Sequence, residues 1–152
     1  MSQNLRLAIA ADHAGYEQKD QLAAWLRGEG YVVDDYGTNS AESVDYPDYA
    51  VKVAEAVSHG QADIGILVCG TGLGMAMTAD KIAGVRAVTL TSEEFAALAR
   101  EHNAANVIGL SGRFVPVETN RQIVSAFLQA EPLGDRHARR VAKINALDKP
   151  LC

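Results

Sequence analysis

A glycine-rich loop that begins with a cysteine follows the apolar run Ile64 to Val68. Its sequence is Cys69-Gly70-Thr71-Gly72-Leu73-Gly74. A thiol beside a helix amino terminus is more readily deprotonated, and backbone N–H groups in such a loop can stabilise a developing oxyanion. Together these groups suit the removal of a proton from carbon. The alternative is packing of the cysteine as a small hydrophobic side chain, which is the commoner fate of a lone cysteine at the end of an apolar strand.

The spacing of the glycines excludes two phosphate-binding motifs. The dinucleotide fingerprint Gly-x-Gly-x-x-Gly follows the first strand of a sheet, whereas this loop follows the third apolar run and has Met75 in place of the third glycine. The phosphate loop of nucleoside triphosphatases needs a lysine after its last glycine, and none follows Gly74. The loop therefore indicates a cradle of backbone amides for negative charge.

Histidines stand beside polar residues at two other places. Asp12 and His13 follow the first apolar run, and His102 and Asn103 end a predicted helix. A histidine there can transfer protons near neutral pH, and a carboxylate can hold a substrate hydroxyl. Structural roles are the alternative, with Asp12 as a helix cap, His13 as a surface residue and His102 as a positive charge at a helix carboxyl end. The residue types alone leave both interpretations open.

Arginines are concentrated towards the end of the sequence. Arg113 follows the fifth apolar run, and Arg136, Arg139 and Arg140 lie in the last predicted helix. Arg136 and Arg140 share one helical face, so their guanidinium groups can converge on one dianion. A solvated helix face is the alternative, but a local arginine cluster in an acidic protein favours a phosphate site. Asp135 adds a negative charge beside this cluster.

Short apolar runs alternate with segments of helical periodicity. The runs lack polar alternation, which predicts buried parallel strands at Leu5 to Ala11, Tyr31 to Asp35, Ile64 to Val68, Val85 to Leu90 and Val107 to Leu110. The predicted helices are Tyr16 to Arg27, Tyr49 to Ser58, Leu73 to Ile82, Glu93 to Glu101, Val117 to Ala130 and about Asp135 to Ala146. The alternation predicts a Rossmann-like, doubly wound α/β sheet of about five parallel strands with flanking helices. The extra C-terminal helix can cap its own domain or reach a second subunit.

Ligands of open parallel sheets bind at the carboxyl ends of the strands. The loops after the first and third predicted strands, together with Thr91-Ser92 after the fourth, are therefore expected to form the site. His102 and Asn103, at the end of a predicted helix, are expected to contribute to the same site.

Length and composition limit the classes of protein that the chain can represent. With 152 residues, 48% of them hydrophobic and 22% charged, residues 1–152 are expected to form a single globular domain. The net charge of -5 argues against nucleic acid and anionic membranes as partners. No apolar run is long enough to span a bilayer, and no secretory signal is visible. Cys69 and Cys152 make no disulfide framework, so free thiols and a cytoplasmic location are expected.

Five motifs in a fixed order give the chain a resemblance to a known family over nearly its whole length. They are Ala11-Asp12-His13-Ala14-Gly15, Asp45-Tyr46-Pro47-Asp48-Tyr49-Ala50, Cys69-Gly70-Thr71-Gly72-Leu73-Gly74, Arg100-Glu101-His102-Asn103, and Arg136-His137 with Arg140. In these motifs the sequence resembles ribose-5-phosphate isomerase B and its relatives, the galactose-6-phosphate isomerase subunits. Five ordered motifs are far more specific than any one of them.

The resemblance implies a role for each matched residue. Cys69 corresponds to the base that moves a proton between C2 and C1, and His102 to the group that opens the furanose ring. Gly70 to Gly74 would hold the enediolate, and Thr71 in this loop is counted among the catalytic residues. The implied substrate-binding residues are Asp12, His13, Tyr46, Gly70, Gly72, Leu73, Gly74 and Asn103, with Arg113, Arg136 and Arg140 at the phosphate.

The resemblance also implies an assembly and a cofactor requirement. Members of the family form dimers with the active site at the subunit interface, so a homodimer or a dimer of dimers is expected, with no metal and no cofactor. Some relatives lack the cysteine and use a carboxylate near the start of the following helix. Here Met75 and Met77 follow the loop and no acid occurs before Asp80, which favours Cys69 as the base.

The expected function is aldose–ketose isomerisation. The resemblance implies interconversion of ribose 5-phosphate and ribulose 5-phosphate through a cis-enediolate, in the pentose phosphate pathway. One alternative is an isomerase for another four- to six-carbon sugar phosphate, such as galactose 6-phosphate or allose 6-phosphate. The other is a flavodoxin-like module that binds a phosphate ligand and catalyses nothing.

Overall fold

A parallel sheet forms the centre of the molecule. The computed structural model describes residues 4–148, so Cys152 and the expectation of a free thiol there lie outside the described residues. The strands are β1 (Arg6–Ala11), β2 (Val32–Asp35), β3 (Ile64–Cys69), β4 (Ala87–Thr89) and β5 (Val107–Ser111). Their order across the sheet is β2-β1-β3-β5-β4, and all neighbours are parallel. The predicted Rossmann-like α/β sheet is confirmed.

Helices cover both faces of this sheet. Those in the described part of the chain are α1 (Tyr16–Gly28), α2 (Tyr46–Ser58), α3 (Leu73–Ala79), α4 (Glu93–Asn103), α5 (Val117–Gln129) and α6 (Arg136–Asn145). The apolar side chains of α1, α4 and α5 pack on one face, and those of α2 and α3 on the other. α6 lies against α4. Within residues 4–148, no helix has the length and apolar character needed to cross a lipid bilayer.

The strands lack polar alternation because helices bury both of their faces. Every residue of β3 is buried, as is every residue of β1 after Arg6. Leu7 and Ile9 point towards α1, α4 and α5, whereas Ala8 and Ala10 point towards α2 and α3. Both side-chain directions of a strand are therefore apolar, as a parallel sheet between two helical layers requires.

Two helix boundaries differ from the sequence-based prediction by three residues. α2 begins at Tyr46, three residues early, because Pro47 suits the first helical turn, where a missing N–H group costs no hydrogen bond. α3 ends at Ala79, three residues short of the prediction. The Asp80 carboxylate accepts a hydrogen bond from the Ala87 N–H group at 2.7 Å, which leads the chain out of the helix towards β4.

The loops after β1 and β3 diverge at the carboxyl edge of the sheet. From β1 the chain proceeds to β2 on one side, and from β3 it proceeds past β5 to β4 on the other. α1 and α3 consequently lie on opposite faces. Such a reversal opens a crevice between the two loops. The loops remain in contact at its base, where the Asp12 N–H group donates to the Val68 carbonyl oxygen at 3.2 Å.

Gly15, which precedes α1, should be intolerant of a side chain. A Cβ atom there would collide with the Val68 carbonyl oxygen at the end of β3. We expect Gly15→Ala to lower the free energy of unfolding by about 2–3 kcal/mol, since the backbone must shift to relieve the overlap. Urea denaturation measures this change.

Gly28→Ala is the matched control for this substitution. A Cβ atom at Gly28 would meet nothing within 4 Å, and alanine favours the helical conformation over glycine by up to about 1 kcal/mol. The control should be neutral or slightly stabilised. Equal unfolding free energies for the two variants would contradict the packing described for Gly15.

Candidate active site

Cys69 is the last residue of β3 and its side chain is only 4% exposed. The Gly72 N–H group points at its sulfur, with N and Sγ 3.2 Å apart. This geometry requires the chain to turn sharply after the strand, and Gly72 does so with a φ of 81°, a left-handed conformation that favours glycine. A negative charge on Sγ is therefore met by a backbone dipole.

The rest of the Cys69 loop is tied to its surroundings by hydroxyl groups. The Thr71 Oγ1 atom accepts a hydrogen bond from the Leu73 N–H group at 3.2 Å. The Thr89 hydroxyl, at the end of β4, donates to the Gly72 carbonyl oxygen at 2.8 Å. Two threonines therefore fix the course of the loop as it enters α3.

Two further glycines of the loop make room for side chains from other elements. A Cβ atom at Gly74 would lie 2.6 Å from ring atoms of Tyr46, the first residue of α2. A Cβ atom at Gly70 would lie 3.1 Å from Nη1 of Arg113. The aromatic ring and the guanidinium group thus both lie directly against the Cys69 loop.

Arg113 is held there by the loop that follows β5. The Gly112 N–H group donates to the Cys69 carbonyl oxygen at 2.8 Å, and the Arg113 N–H group donates to the Gly70 carbonyl oxygen at 3.2 Å. The buried Ser111 hydroxyl also donates to the Gly70 oxygen, at 2.7 Å. Three hydrogen bonds therefore join the cysteine loop to the arginine loop.

Asp12 and His13 line the opposite side of the crevice. The Asp12 carboxylate accepts hydrogen bonds from the Ala14 and Gly15 N–H groups at 2.9 and 3.1 Å, so it shapes the turn into α1. The His13 Nδ1 atom accepts one from the Val44 N–H group at 3.1 Å. Because an N–H group can only donate, the neutral His13 ring carries its proton on Nε2. His13 is thereby preset as a hydrogen-bond donor.

His102 and Asn103 lie near the amino ends of the strands, whereas the Cys69 loop lies at their carboxyl ends. α4 starts at the carboxyl edge, after β4, and its 11 residues run back over about 16 Å. Its end lies beside the start of β4, since Arg86 Nη2 donates to the Ala104 carbonyl oxygen at 2.8 Å. The prediction that His102 and Asn103 lie with the strand-end loops of the same chain is therefore wrong. A helix between parallel strands returns the chain to the amino ends of the strands.

α6 carries the remaining predicted residues to the same place. The His137 ring stacks on the His102 ring with centroids 4.3 Å apart and planes inclined by 5°. The pKa of His137 is lowered by burial first, and further by the charges of His102, Arg136 and Arg140. α6 is further anchored near β4 by a 3.0 Å hydrogen bond from Arg86 Nη1 to Asn145 Oδ1.

The predicted site residues therefore form two groups within one chain, and His137, which was not among them, joins the second group through its stack on His102. We call Asp12, His13, Tyr46, residues 69–74 and Arg113 the cysteine half-site. We call His102, Asn103, Arg136, His137 and Arg140 the histidine half-site. The strands and α4 run from one half-site to the other, so the two half-sites lie at opposite ends of the strands.

Two supporting residues, Ser111 and Thr89, were not predicted from the sequence. Ser111 and Thr89 each place a hydroxyl at the end of an otherwise apolar strand, and that contrast is the signal that could have identified them. Ser92, which the sequence placed with the strand-end loops, caps α4 by accepting a hydrogen bond from the Phe95 N–H group at 3.2 Å. Among residues 4–148, no three His, Cys, Asp or Glu side chains form a group that could hold a metal ion.

The family of the chain follows from comparison with known proteins. A family model described as ribose/galactose isomerase matches residues 7–144. The chain belongs to the ribose/galactose isomerase family. Ribose-5-phosphate isomerase B of Escherichia coli (strain K12) is 43% identical over 144 residues, which are 95% of this chain and 97% of that relative.

Solved structures of the ribose/galactose isomerase family agree closely with this fold. Ribose-5-phosphate isomerase B of Clostridium thermocellum superimposes with a TM-score of 0.93 at 46% identity, covering 95% of this chain and 97% of that one. The enzyme of Mycoplasma genitalium with bound ribulose-5-phosphate gives a TM-score of 0.93 at 42% identity, covering 98% of this chain and 99% of that one. The predicted family is confirmed.

His137 should make the stability of this family member depend on pH. Burial lowers the pKa of His137, and the charges of His102, Arg136 and Arg140 lower it further. The folded protein therefore binds fewer protons than the unfolded chain just below the ordinary histidine pKa of about 6.5, and it loses stability as the pH falls through that range. In His137→Gln, the free energy of unfolding should change less between about pH 7.5 and 5.5 than in the wild type.

His59→Gln is the control, because His59 is exposed at the end of α2. Its unfolding free energy should keep the pH dependence of the wild type. Urea denaturation at the two pH values measures all three proteins. An unchanged pH dependence in His137→Gln would contradict the lowered pKa.

Proposed function

We propose that this protein is a type B ribose-5-phosphate isomerase that interconverts ribose 5-phosphate and ribulose 5-phosphate. The observation that carries the proposal is the position of Cys69, whose sulfur lies under the Gly72 N–H group at the carboxyl edge of the sheet. The relative from Mycoplasma genitalium, solved with ribulose-5-phosphate, has the same fold at 42% identity. Both features support an aldose–ketose isomerase.

Proton transfer by Cys69 accounts for the reaction. The thiolate removes the proton from C2 of the open-chain aldose, and the C2–H electrons form a C1=C2 double bond while the carbonyl oxygen becomes an oxyanion. Backbone N–H groups of the Cys69 loop stabilise this enediolate. The O2 proton moves to O1, and the thiol returns its proton to C1 to give the ketose.

His102 opens the furanose ring in this proposal, and it comes from a second chain. Within one protomer, β5 alone separates the two edges of the sheet by about 16 Å, which exceeds any proton-transfer distance. A homodimer, alone or within a dimer of dimers, brings the cysteine half-site of one chain to the histidine half-site of its partner. The His102–His137 stack supports the helix α6 as part of this interface.

The substrate contacts follow from the same arrangement. Arg113 lies against Gly70, so it can hold the phosphate from the cysteine half-site, while Arg136 and Arg140 approach from the partner. His13 donates through Nε2, and Asp12, Tyr46 and Asn103 bind hydroxyl groups or the ring oxygen. Converging guanidinium groups suit a phosphate dianion because each offers paired N–H donors.

The sugar and the location of the enzyme complete the proposal. The family description includes galactose isomerases, whereas the relatives cited above are named for ribose 5-phosphate. A panel of ribose, allose and galactose phosphates identifies the substrate, and a pure binding module would convert none of them. We expect the protein to act in the cytoplasm on a small sugar phosphate, with no metal, nucleic acid or membrane partner.

Replacement of Cys69 by alanine should abolish turnover. The variant keeps the loop but loses the proton-transferring group, so kcat for ribose 5-phosphate should fall by about 10³-fold or more. Binding of ribulose 5-phosphate, measured by calorimetry, should stay within about threefold of the wild type.

The second cysteine, Cys152, provides the matched control. Cys152→Ser should leave kcat unchanged, since its thiol has no place in the proposed reaction. A Cys69→Ala enzyme that retains a tenth or more of the wild-type kcat would refute the assignment of the base.

Complementation between two inactive variants tests the shared site. Cys69→Ala and His102→Gln chains, carrying different affinity tags, are co-expressed and the heterodimer is isolated. One of its two sites then contains both Cys69 and His102, so the heterodimer should regain about half of the wild-type activity. Each parental homodimer should remain inactive.

A heterodimer without activity would show that Cys69 and His102 act within one chain. A heterodimer of wild-type chains carrying the same two tags controls for any effect of the tags. Its activity should equal that of the untagged protein.

A further inference from the structure

Lys19 is a completely buried cation that has no role in the proposed reaction. Its side chain is 0% exposed. Its ammonium group donates to both carboxylate oxygens of Asp35 at 2.9 and 2.8 Å and to Asn39 Oδ1 at 3.1 Å, and it forms an ion pair with Asp20 at 2.9 Å. A buried ammonium group is costly unless its charge and its N–H donors are satisfied. The contacts of Lys19 satisfy its charge and its N–H donors, and they fix the positions of Asp35 and Asn39 relative to α1.

These contacts fasten the connecting segment, residues 36–45, which joins β2 to α2. Asp35 is the last residue of β2, and Asn39 lies in the segment. The Asp35 Oδ1 atom also accepts a hydrogen bond from the Gly37 N–H group at 2.8 Å. Lys19 therefore joins α1 to the chain on both sides of Gly37.

The connecting segment begins beside the first loop of the cysteine half-site. The Ala11 N–H group donates to the Gly37 carbonyl oxygen at 2.7 Å, and the Thr38 N–H group donates to the Ala11 carbonyl oxygen at 2.8 Å. These bonds extend the pairing of β1 and β2 up to the residue before Asp12. The course of the segment is thus set at its first residues.

The same segment ends at two proposed substrate contacts. Its Val44 N–H group donates to His13 Nδ1, which selects the tautomer that carries a proton on Nε2. Its last residue precedes Tyr46, whose ring lies against Gly74. Movement of the segment would release the His13 ring and displace the Tyr46 ring together.

We infer that Lys19 is a positioning residue for substrate binding, acting through the connecting segment on His13 and Tyr46. This inference rests on the proposed isomerase function. Lys19 itself lies in the core, so its ammonium group orders the two contacts without touching the sugar phosphate. We call the contacts of Lys19 with Asp35 and Asn39 the Lys19 anchor. Buried hydrogen bonds of this kind lock the orientation of the groups that contact a ligand.

Asn39 offers the mildest test, because its substitution leaves the Lys19–Asp35 pair intact. In Asn39→Ala, KM for ribose 5-phosphate should rise by about tenfold while kcat stays within about twofold, since the affected residues bind substrate and transfer no C2 proton. Asn39→Asp retains an acceptor oxygen for Lys19 and should keep KM within about threefold of the wild type.

Ser40→Ala is the control within the same segment. The Ser40 Oγ atom accepts only a local hydrogen bond, from the Glu42 N–H group at 3.3 Å, among the contacts described. Its loss does not touch the Lys19 anchor. KM and kcat of Ser40→Ala should match those of the wild type.

Lys19→Met removes the whole anchor and should raise KM further than Asn39→Ala does. If Lys19→Met does not fold, the two Asn39 variants decide the question alone. ¹⁵N NMR of the His13 ring gives a readout independent of turnover. The nitrogen shifts should report a single tautomer in the wild type and in Asn39→Asp, and a tautomer mixture in Asn39→Ala.

A double-mutant cycle separates positioning from general loss of stability. In a His13→Ala background, Asn39→Ala should raise KM by a smaller factor than in the wild type, because the anchor acts partly through His13. The inference would be overturned if Asn39→Ala raised KM by the same factor in both backgrounds and left the ¹⁵N shifts of the His13 ring unchanged. A wild-type protein that isomerises no sugar phosphate would refute the proposed function, whereas the His13 shifts would still decide whether Lys19 orders the segment.

Discussion

Parallel pairing of β3 with β1 and β5 is the constraint on which the cysteine half-site depends. The register places Ala11 opposite Val68 and Cys69 opposite Ser111, so three strands end at nearly the same level. Their loops can therefore exchange backbone hydrogen bonds. A shift of one residue in β3 would turn the Cys69 side chain to the opposite face of the sheet. The buried, apolar residues of these strands fix that register because a slip would repack both helical layers.

The glycines of the Cys69 loop serve this arrangement in different ways. Gly72 has the left-handed conformation that the sharp turn into α3 requires. Gly70 and Gly74 instead provide space, the first for the Arg113 guanidinium group and the second for the Tyr46 ring. A loop that reads as a simple anion cradle is thus also the surface on which two other elements meet. This close packing places an aromatic ring and a positive charge against the Cys69 loop.

The length of α4 determines where His102 lies relative to Cys69. Because the helix spans the height of the sheet, it carries His102 away from Cys69 and towards α6, where His137 and the two arginines lie. In the proposed function, each chain therefore presents complementary halves of a site at opposite ends of its strands. A two-fold symmetric dimer can pair both sets at once and form two identical sites. The proposed homodimer accounts for an α6 helix that takes no part in connecting strands.

The sequence by itself determined the fold class and the family, and it predicted most residues of the candidate site. Apolar runs without alternation predicted buried parallel strands, and the ordered motifs around Asp12, Cys69 and His102 identified the family. Tertiary structure alone decided that β5 lies between β3 and β4, that His102 lies far from Cys69 in the same chain, and that Lys19 is buried against Asp35. Periodicity reports which side of an element is apolar, but strand order and the partners of a buried charge depend on contacts between residues distant in sequence.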